Sequence, residues 1–207
     1  LGRAPVQMPA AGAVEMAAGT HYLEARAFLD AAGDAQVQLD VDGPPWATDT
    51  ARISDATAAF AAAPQVILVP GGAAAVVLED SAAASLTAGE QGLVYAEVTP
   101  AGATRAVVAQ GDVGAAVTSA DLVLGTSGTL VAWSQGDEVL FAAEDAGGLT
   151  FNTQLSIGDT TTVSHTHVRV ARLSPTRVVV LWQEISDRDG ILDDADVVAR
   201  VVDEAGT

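Results

Sequence analysis

The sequence predicts an all-β fold in which about four antiparallel sheets, each of three to four strands, form a single domain over residues 1–207. Short runs of Val, Ala and Leu alternate with Gly, Pro, Asp and Ser, a pattern typical of strands joined by turns. The same succession of strand, turn and strand recurs along the chain. The middle run of each copy is continuously apolar, which indicates a strand buried on both faces.

The copies follow one another in order, at approximately 1–60, 61–110, 111–155 and 156–207. The first is the weakest and contains HYLEARAFLDAAG. The second contains QVILV, AAAVVLED and LVYAEVTPAGA, and the third contains DLVLG, TLVAWSQ and EVLFAAEDAGG. The fourth is the clearest, with VRVARLSPTRVVVLWQ followed by VVARVVDEAGT.

A turn that ends in glycine is predicted to close the third strand of each copy. These glycines are Gly33, Gly102, Gly147 and Gly206, spaced 69, 45 and 59 residues apart. An antiparallel sheet of three or four strands cannot bury both faces by itself, so the copies are expected to stack on one another. Trp133 and Trp182 are placed at the same repeat position, with Leu78 in the second copy, and are predicted to pack between sheets.

One segment favours a helix. Ile53–Ala63 has an alanine-rich body, and Ser54 or Asp55 is a candidate N-cap. Pro64 would end such a helix.

The charge excludes several classes of partner. The chain has 27 acidic residues against 9 basic ones, all arginine, and a formal net charge of −18. Nucleic acid and anionic membrane surfaces both require clustered basic residues, so neither is an expected partner. No apolar run approaches the roughly 20 residues that span a bilayer, which predicts no membrane insertion. A hydrophobic fraction of 49% indicates a folded chain, and the absence of cysteine excludes disulfides.

The fourth copy carries a family resemblance. Its V-x-x-L-x-P-x-x-V-V-V-L-W-Q, an Asp/Gly-rich loop and V-V-A-R-V-V-D-x-A-G resemble the tandem β-propeller-type repeats of large bacterial secreted and cell-surface proteins. The resemblance is strong over 168–207 and weaker over 64–103 and 120–150. It implies a β-propeller-like array and an extracellular or cell-surface location, with a signal peptide absent or already removed. Because propellers commonly have six to eight blades, four copies are expected to be a fragment of a larger propeller or an assembly that another chain completes, with an uncommon four-bladed ring as the alternative.

The function that follows from this resemblance is a non-catalytic extracellular interaction or structural module. One alternative is a carbohydrate-binding or glycan-processing propeller, and another is a cleaved or partial subunit of a larger extracellular assembly. The expected partners are a protein or glycan bound at blade edges or loops, or another chain that completes the propeller. No catalytic residue is predicted.

The loop of the fourth copy is a candidate calcium site. It reads D-R-D-G-I-L-D-D-A-D over 187–196, and its carboxylates supply the oxygen ligands that calcium requires. Asp187, Asp189 and Asp193 are the predicted ligands. The alternative is a solvated acidic hairpin loop.

Two further groups suggest chemistry. His165 and His167 are two residues apart, which would place both imidazoles on one face of a strand, where they could hold a transition metal with a carboxylate or His21 as the third ligand. Glu79 and Asp80 form a carboxylate pair of the kind that glycosidases use. The alternatives are a partly exposed strand entry for the histidines and ordinary loop chemistry for the acids.

Overall fold

A computed structural model of the chain confirms the all-β prediction. Strands form four antiparallel sheets, and no helix occurs among the residues that the structure describes. Within that part of the chain, no helix is therefore long and apolar enough to cross a membrane. The described residues are 23–41, 51–99, 102–145, 149–151, 155–157, 164–186 and 194–204.

The four sheets follow one another along the chain, and in each of them neighbouring strands are consecutive in sequence. Sheet 1 contains β1 (Leu23–Leu29), β2 (Ala35–Val41) and β3 (Ala51–Arg52). Sheet 2 contains β4 (Ala61–Val69), β5 (Gly72–Glu79), β6 (Gly92–Thr99) and β7 (Gly102–Ala109). Sheet 3 contains β8 (Val117–Leu124), β9 (Thr129–Gln135), β10 (Glu138–Ala143) and β11 (Leu155–Ser156). Sheet 4 contains β12 (Ser164–Ser174), β13 (Arg177–Ser186) and β14 (Asp194–Asp203).

Each pair of consecutive sheets encloses a hydrophobic core. The core between sheets 1 and 2 is built from small side chains, with six alanines among its eleven buried residues. The core between sheets 2 and 3 contains Tyr95 and Trp133, and the core between sheets 3 and 4 contains Phe141 and Trp182. Alternate residues of one strand therefore enter different cores, as the twofold period of a strand requires.

The first strands of the sheets form a row. Strand β1 contacts β4, β4 contacts β8, and β8 contacts β12. Among the described residues, no comparable contact joins the strands of sheet 1 to those of sheet 4. The described strands thus form an ordered stack of sheets that is not closed into a ring.

The helix predicted over Ile53–Ala63 is wrong. The Asp55 carboxylate accepts hydrogen bonds from the backbone N–H and the hydroxyl of Thr57, at 2.8 and 2.7 Å, which makes a local turn instead of an N-cap. Ala61 already belongs to β4. Pro64 lies in that edge strand within an irregularity of the register between Ala62 and Gln65, a position that tolerates proline.

Two assignments of repeat position are also corrected. Among the described strands of sheet 1, the turn at Gly33 joins β1 to β2 and so follows the first strand and not the third. Trp133 and Trp182 both lie on the face of their sheet that contacts the preceding sheet, and both are buried as predicted. Leu78 lies on the opposite face of sheet 2, in the same core as Trp133. A displacement of one residue in the alignment is enough to exchange the two faces.

Candidate interaction surface

The face of sheet 4 that points away from sheet 3 carries mainly apolar side chains. Val178, Val180 and Trp182 point into the core between sheets 3 and 4. The residues that alternate with them on β13 point the other way, and so do the cross-strand partners of those alternate residues. This surface is called the outer face of sheet 4. Its nine apolar residues are Ala171, Leu173, Val179, Leu181, Ile185, Ala195, Val197, Ala199 and Val201.

The outer face of sheet 4 is open to solvent. Val197 is 77% exposed, Leu173 56% and Val201 52%. The alanines of the face are exposed as well, and its remaining apolar residues, on β13, are half-buried. Isolated exposed apolar residues are ordinary, but a contiguous apolar face marks an interaction site.

A bulge in β12 separates the two histidines that the sequence places together. The register shifts between Thr166 and Arg169, and His167 adopts a positive φ of 56°. The extra residue reverses the alternation of side chains. His165 is consequently buried in the sheet, whereas His167 is exposed. The prediction that both imidazoles share one face is therefore wrong, and His21 lies outside the described residues.

Behind the outer face, the buried side of sheet 4 holds polar atoms that sequence reasoning missed. Both ring nitrogens of His165 and the indole nitrogen of Trp182 are buried, and no hydrogen-bond partner is found for them among the described residues. The two rings meet edge to face, with centroids 6.4 Å apart. The nearest acid is Glu184, whose Oε2 lies 3.9 Å from His165 Nε2. These groups face sheet 3 and contribute nothing to the outer face.

The described residues of the outer face of sheet 4 include more cations than carboxylates, whereas the chain as a whole is acidic. Arg169 and Arg177 are both exposed there, and Asp203 is the cross-strand neighbour of Arg177. Among the described residues, two cations and one carboxylate give this face a small positive charge in a chain whose net charge is −18. A second acidic molecule is therefore repelled less at this face than the net charge of the chain implies.

A cleft of about 610 Å³ lies between sheets 2 and 3, at the turn 125–128. Glu144 forms its base, where one carboxylate oxygen accepts from the Thr129 N–H at 2.9 Å and from the Tyr95 hydroxyl at 3.3 Å. Burial and the neighbouring Glu144 raise the pKa of Glu97 above its usual value. Burial likewise raises the pKa of the Tyr95 hydroxyl. The cleft is acidic. The bond from Tyr95 joins sheets 2 and 3, whereas the bonds that Glu144 accepts from the N–H groups of Thr129 and Leu149 stay within sheet 3 and the segment that follows β10.

The predicted carboxylate pair at Glu79 and Asp80 is part of a structural network. Glu79 is fully buried and accepts from Arg105, from the Ser81 hydroxyl at 2.7 Å and from the Asp55 N–H at 2.8 Å. Asp80 accepts from the Phe60 N–H at 2.8 Å. These bonds leave Glu79 and Asp80 with structural partners in place of a substrate.

Arg105 completes that network by joining sheets 1 and 2. Its guanidinium also donates to the Ile53 carbonyl at 2.7 Å and to Asp55 at 2.9 Å. Hydrogen bonds from Thr57, reinforced by Arg105, lower the pKa of Asp55 to about 2. Nothing in the sequence around Arg105 indicated that it pairs with Glu79.

The predicted calcium ligands Asp187, Asp189 and Asp193 lie outside the described residues, so calcium binding stays a prediction. Within the described ranges, no group of three or more His, Asp or Glu side chains is placed to hold a metal ion.

The described residues define an all-β stack of antiparallel sheets in which the outer face of sheet 4 is apolar and exposed or half-buried. No protein-family model, curated protein or solved structure shows a significant match to the chain.

Proposed function

We propose that the chain is a non-catalytic interaction or structural module, extracellular or on the cell surface, built on a β-propeller-like scaffold. The observation that carries the proposal is the outer face of sheet 4, where nine apolar residues share one solvent-exposed or half-buried surface. Burying such a surface against a partner is favourable by about 25 cal/mol per Å² of apolar area. The location rests on the resemblance to bacterial secreted and cell-surface repeat proteins.

The order of the sheets supports the propeller-like part of the proposal. In a propeller, blades of consecutive antiparallel strands stack face to face around a central channel. Each sheet here is such a unit, and the first strands of successive sheets lie side by side. A stack that is open between its first and last sheets is compatible with a larger propeller, or with one that another chain completes.

The hydrogen-bonded state of the candidate acids supports the non-catalytic part. Glu79 is held by Arg105 and Ser81, and Asp80 by a backbone N–H. Glu144 accepts from the backbone of Thr129 and Leu149. Acids whose lone pairs are used in this way link strands, whereas a general acid or base must reach a substrate proton.

The second candidate function is glycan binding in the cleft between sheets 2 and 3. Its volume is within the range of small-molecule sites, and Glu97, Thr126 and Ser127 line it with hydrogen-bonding groups. Its one aromatic lining residue, Tyr95, is only 1% exposed and offers no ring face on which a sugar could stack. The interaction face is therefore the better supported of the two.

Site-specific photo-crosslinking in the cells that naturally produce the protein tests the proposed function. A photoreactive amino acid at Val197 is expected to form adducts, and the same group at Val113 is the control. Val113 is 70% exposed, close to the 77% of Val197, but lies in the 113–114 turn, away from sheet 4. The adducts are identified by mass spectrometry. Equal labelling at both positions, or none at Val197, contradicts the proposal.

A further inference from the structure

We infer that the outer face of sheet 4 binds the same face of a second copy of this chain, across a twofold axis. The inference rests on the proposed function and names the partner of that site. The inference has three requirements. The sequence of the face must be that of a buried surface, the face must pair more favourably with itself than with another surface of the molecule, and its area must be large enough for a dimer.

The sequence of β13 is that of a strand buried on both sides. The middle strands of sheets 2 and 3, β5 and β9, carry equally continuous apolar runs, and their residues are buried against a neighbouring sheet on each face. Strand β13 carries the run Val178–Trp182, yet none of the described sheets lies over its Val179 and Leu181, which are half-buried. A covering layer that packs as the neighbouring sheets do would give β13 the same environment.

The opposite end of the stack is a poor match for this face. On sheet 1, the described side chains that point away from sheet 2 include Gln36, Gln38 and Arg52, with Phe28 as the apolar member. Head-to-tail stacking of two chains would bury those amides and the guanidinium against the outer face of sheet 4. Gln36 and Arg52 are held by the carboxylates of Asp30 and Asp34, so such stacking would bring these charged groups against an apolar face, and burying charge is costly. Two outer faces of sheet 4 would instead place apolar side chains against each other over most of the contact, with Arg169, Arg177 and Asp203 as its described charged groups.

Charge opposes pairing through this face less than pairing through the acidic surfaces. Two chains of net charge −18 repel each other over most of their surface. At the outer face of sheet 4, the described charged residues are Arg169, Arg177 and Asp203, so the face carries only a small charge. In a twofold arrangement this patch meets itself and adds little repulsion of its own. Salt is therefore expected to strengthen the dimer by screening the repulsion between the remaining acidic surfaces.

The area predicts a weak, concentration-dependent dimer. Three strands of about ten residues cover roughly 34 by 14 Å, or about 500 Å² on each copy. Two copies thus bury about 1,000 Å², at the lower limit of specific protein interfaces. A dissociation constant of the order of 10 μM is expected at moderate salt.

Sedimentation velocity of the purified full chain from about 1 to 300 μM tests the inference. The wild-type chain is expected to shift from monomer to dimer, and 0.5 M NaCl is expected to lower the dissociation constant several-fold. Val197→Glu should weaken dimerisation at least tenfold, because it buries a carboxylate on the twofold face. Val113→Glu, at a position of similar exposure away from sheet 4, should leave it unchanged. A thermal midpoint that is unchanged in both variants at about 1 μM, below the expected dissociation constant, separates loss of dimer from loss of fold.

Each outcome decides something. A monomer at every concentration overturns the second copy as partner, and equal dimers for wild type and Val197→Glu overturn the outer face of sheet 4 as the dimer interface. If the cellular crosslinks at Val197 then identify a different protein, the proposed function stands and only this inference fails. If no crosslink forms at Val197 either, both fail. Crosslinks at Val197 to a second copy of the chain, together with the shift to dimer, support both.

Discussion

Sheets 2 and 4 are built from similar sequences and end in different environments. The middle strand of each is a run of small and β-branched apolar residues. In sheet 2 the residues from Ala73 to Glu79 are all buried, because sheet 1 covers one face and sheet 3 covers the other. In sheet 4 one face packs on sheet 3, while Val197 and Val201 on the other are exposed. Sheet 2 thus shows what sheet 4 would look like with a partner.

The comparison shows that a continuous apolar run predicts a strand that is buried on both faces. It does not predict whether the covering layer is another sheet of the same chain or a partner. In sheet 2 the cover belongs to the same chain. Polar contacts fix it in place, with Arg105 joining Glu79 to the loop that follows β3. On the outer face of sheet 4, the described charged groups are Arg169, Arg177 and Asp203. A face that is covered by another sheet of the chain is thus marked by a buried ion pair such as that of Arg105 with Glu79, which the described part of the outer face of sheet 4 lacks.

The largest expected effect comes from removing that anchor. Arg105→Met leaves the fully buried carboxylate of Glu79 without its cation and should lower the free energy of unfolding by about 3–5 kcal/mol. Denaturant unfolding measures it. Arg177→Met, at an exposed position on the outer face of sheet 4, should change stability by less than about 0.5 kcal/mol in dilute solution.

A double variant gives this prediction its control. Adding Glu79→Gln to Arg105→Met removes the buried charge together with its partner and should recover part of the lost stability. If Arg105→Met and Arg177→Met lower the free energy of unfolding equally, the proposed difference between the buried face of sheet 2 and the exposed face of sheet 4 is wrong.

A pair of identical substitutions compares the two sheets directly. Val77→Ala removes two buried carbons from sheet 2 and should cost about 2 kcal/mol of unfolding free energy. Val197→Ala removes the same two carbons from an exposed position on sheet 4 and should cost less than about 0.5 kcal/mol at micromolar concentration or below. Chemical denaturation at two protein concentrations measures both. An equal loss from the two substitutions would mean that Val197 is already covered within the monomer.

The period of the sequence was enough to predict the strands and their grouping into antiparallel sheets. The hairpin turns at Pro70–Gly71 and Pro175–Thr176 follow from local residue preferences, and so does the apolar character of β5, β9 and β13. Local signals were misleading at Ile53–Ala63, where the pairing of β4 with β5 outweighs the helix propensity of alanine. The division into four repeats stays a prediction, since membership of a sheet does not test whether the sequence repeats.

The candidate site was less predictable because it depends on contacts between distant segments. The apolar residues of sheet 4 were visible in the sequence, but their exposure depends on whether another sheet lies above them. The bulge at His167, which separates the two histidines, has no marker such as glycine. The pairing of Glu79 with Arg105 spans 26 residues and two strands. Such contacts are set by register and packing, which one sequence does not reveal.

The smallest expected effect concerns the pH dependence of the junction between sheets 1 and 2. The Asp55 pKa is lowered to about 2, mainly by hydrogen bonds from Thr57 and also by Arg105. A lowered pKa in the folded state stabilises the fold above the unfolded value near 3.9, and the contribution is lost as the pH falls through about 2. Because the side chain is 30% exposed, the contribution is discounted to about 1 kcal/mol.

Asp55→Asn should therefore lower the free energy of unfolding by about 1 kcal/mol at pH 7, and the difference from wild type should shrink between pH 4 and pH 2. Urea unfolding across that range measures it. Asp137→Asn, in the exposed part of the β9–β10 turn, is the matched control and should change stability by less than about 0.5 kcal/mol. A difference for Asp55→Asn that stays constant down to pH 2 would show that the ionised carboxylate does not hold sheet 1 over sheet 2. The cover of sheet 2 would then depend on the alanine-rich core alone.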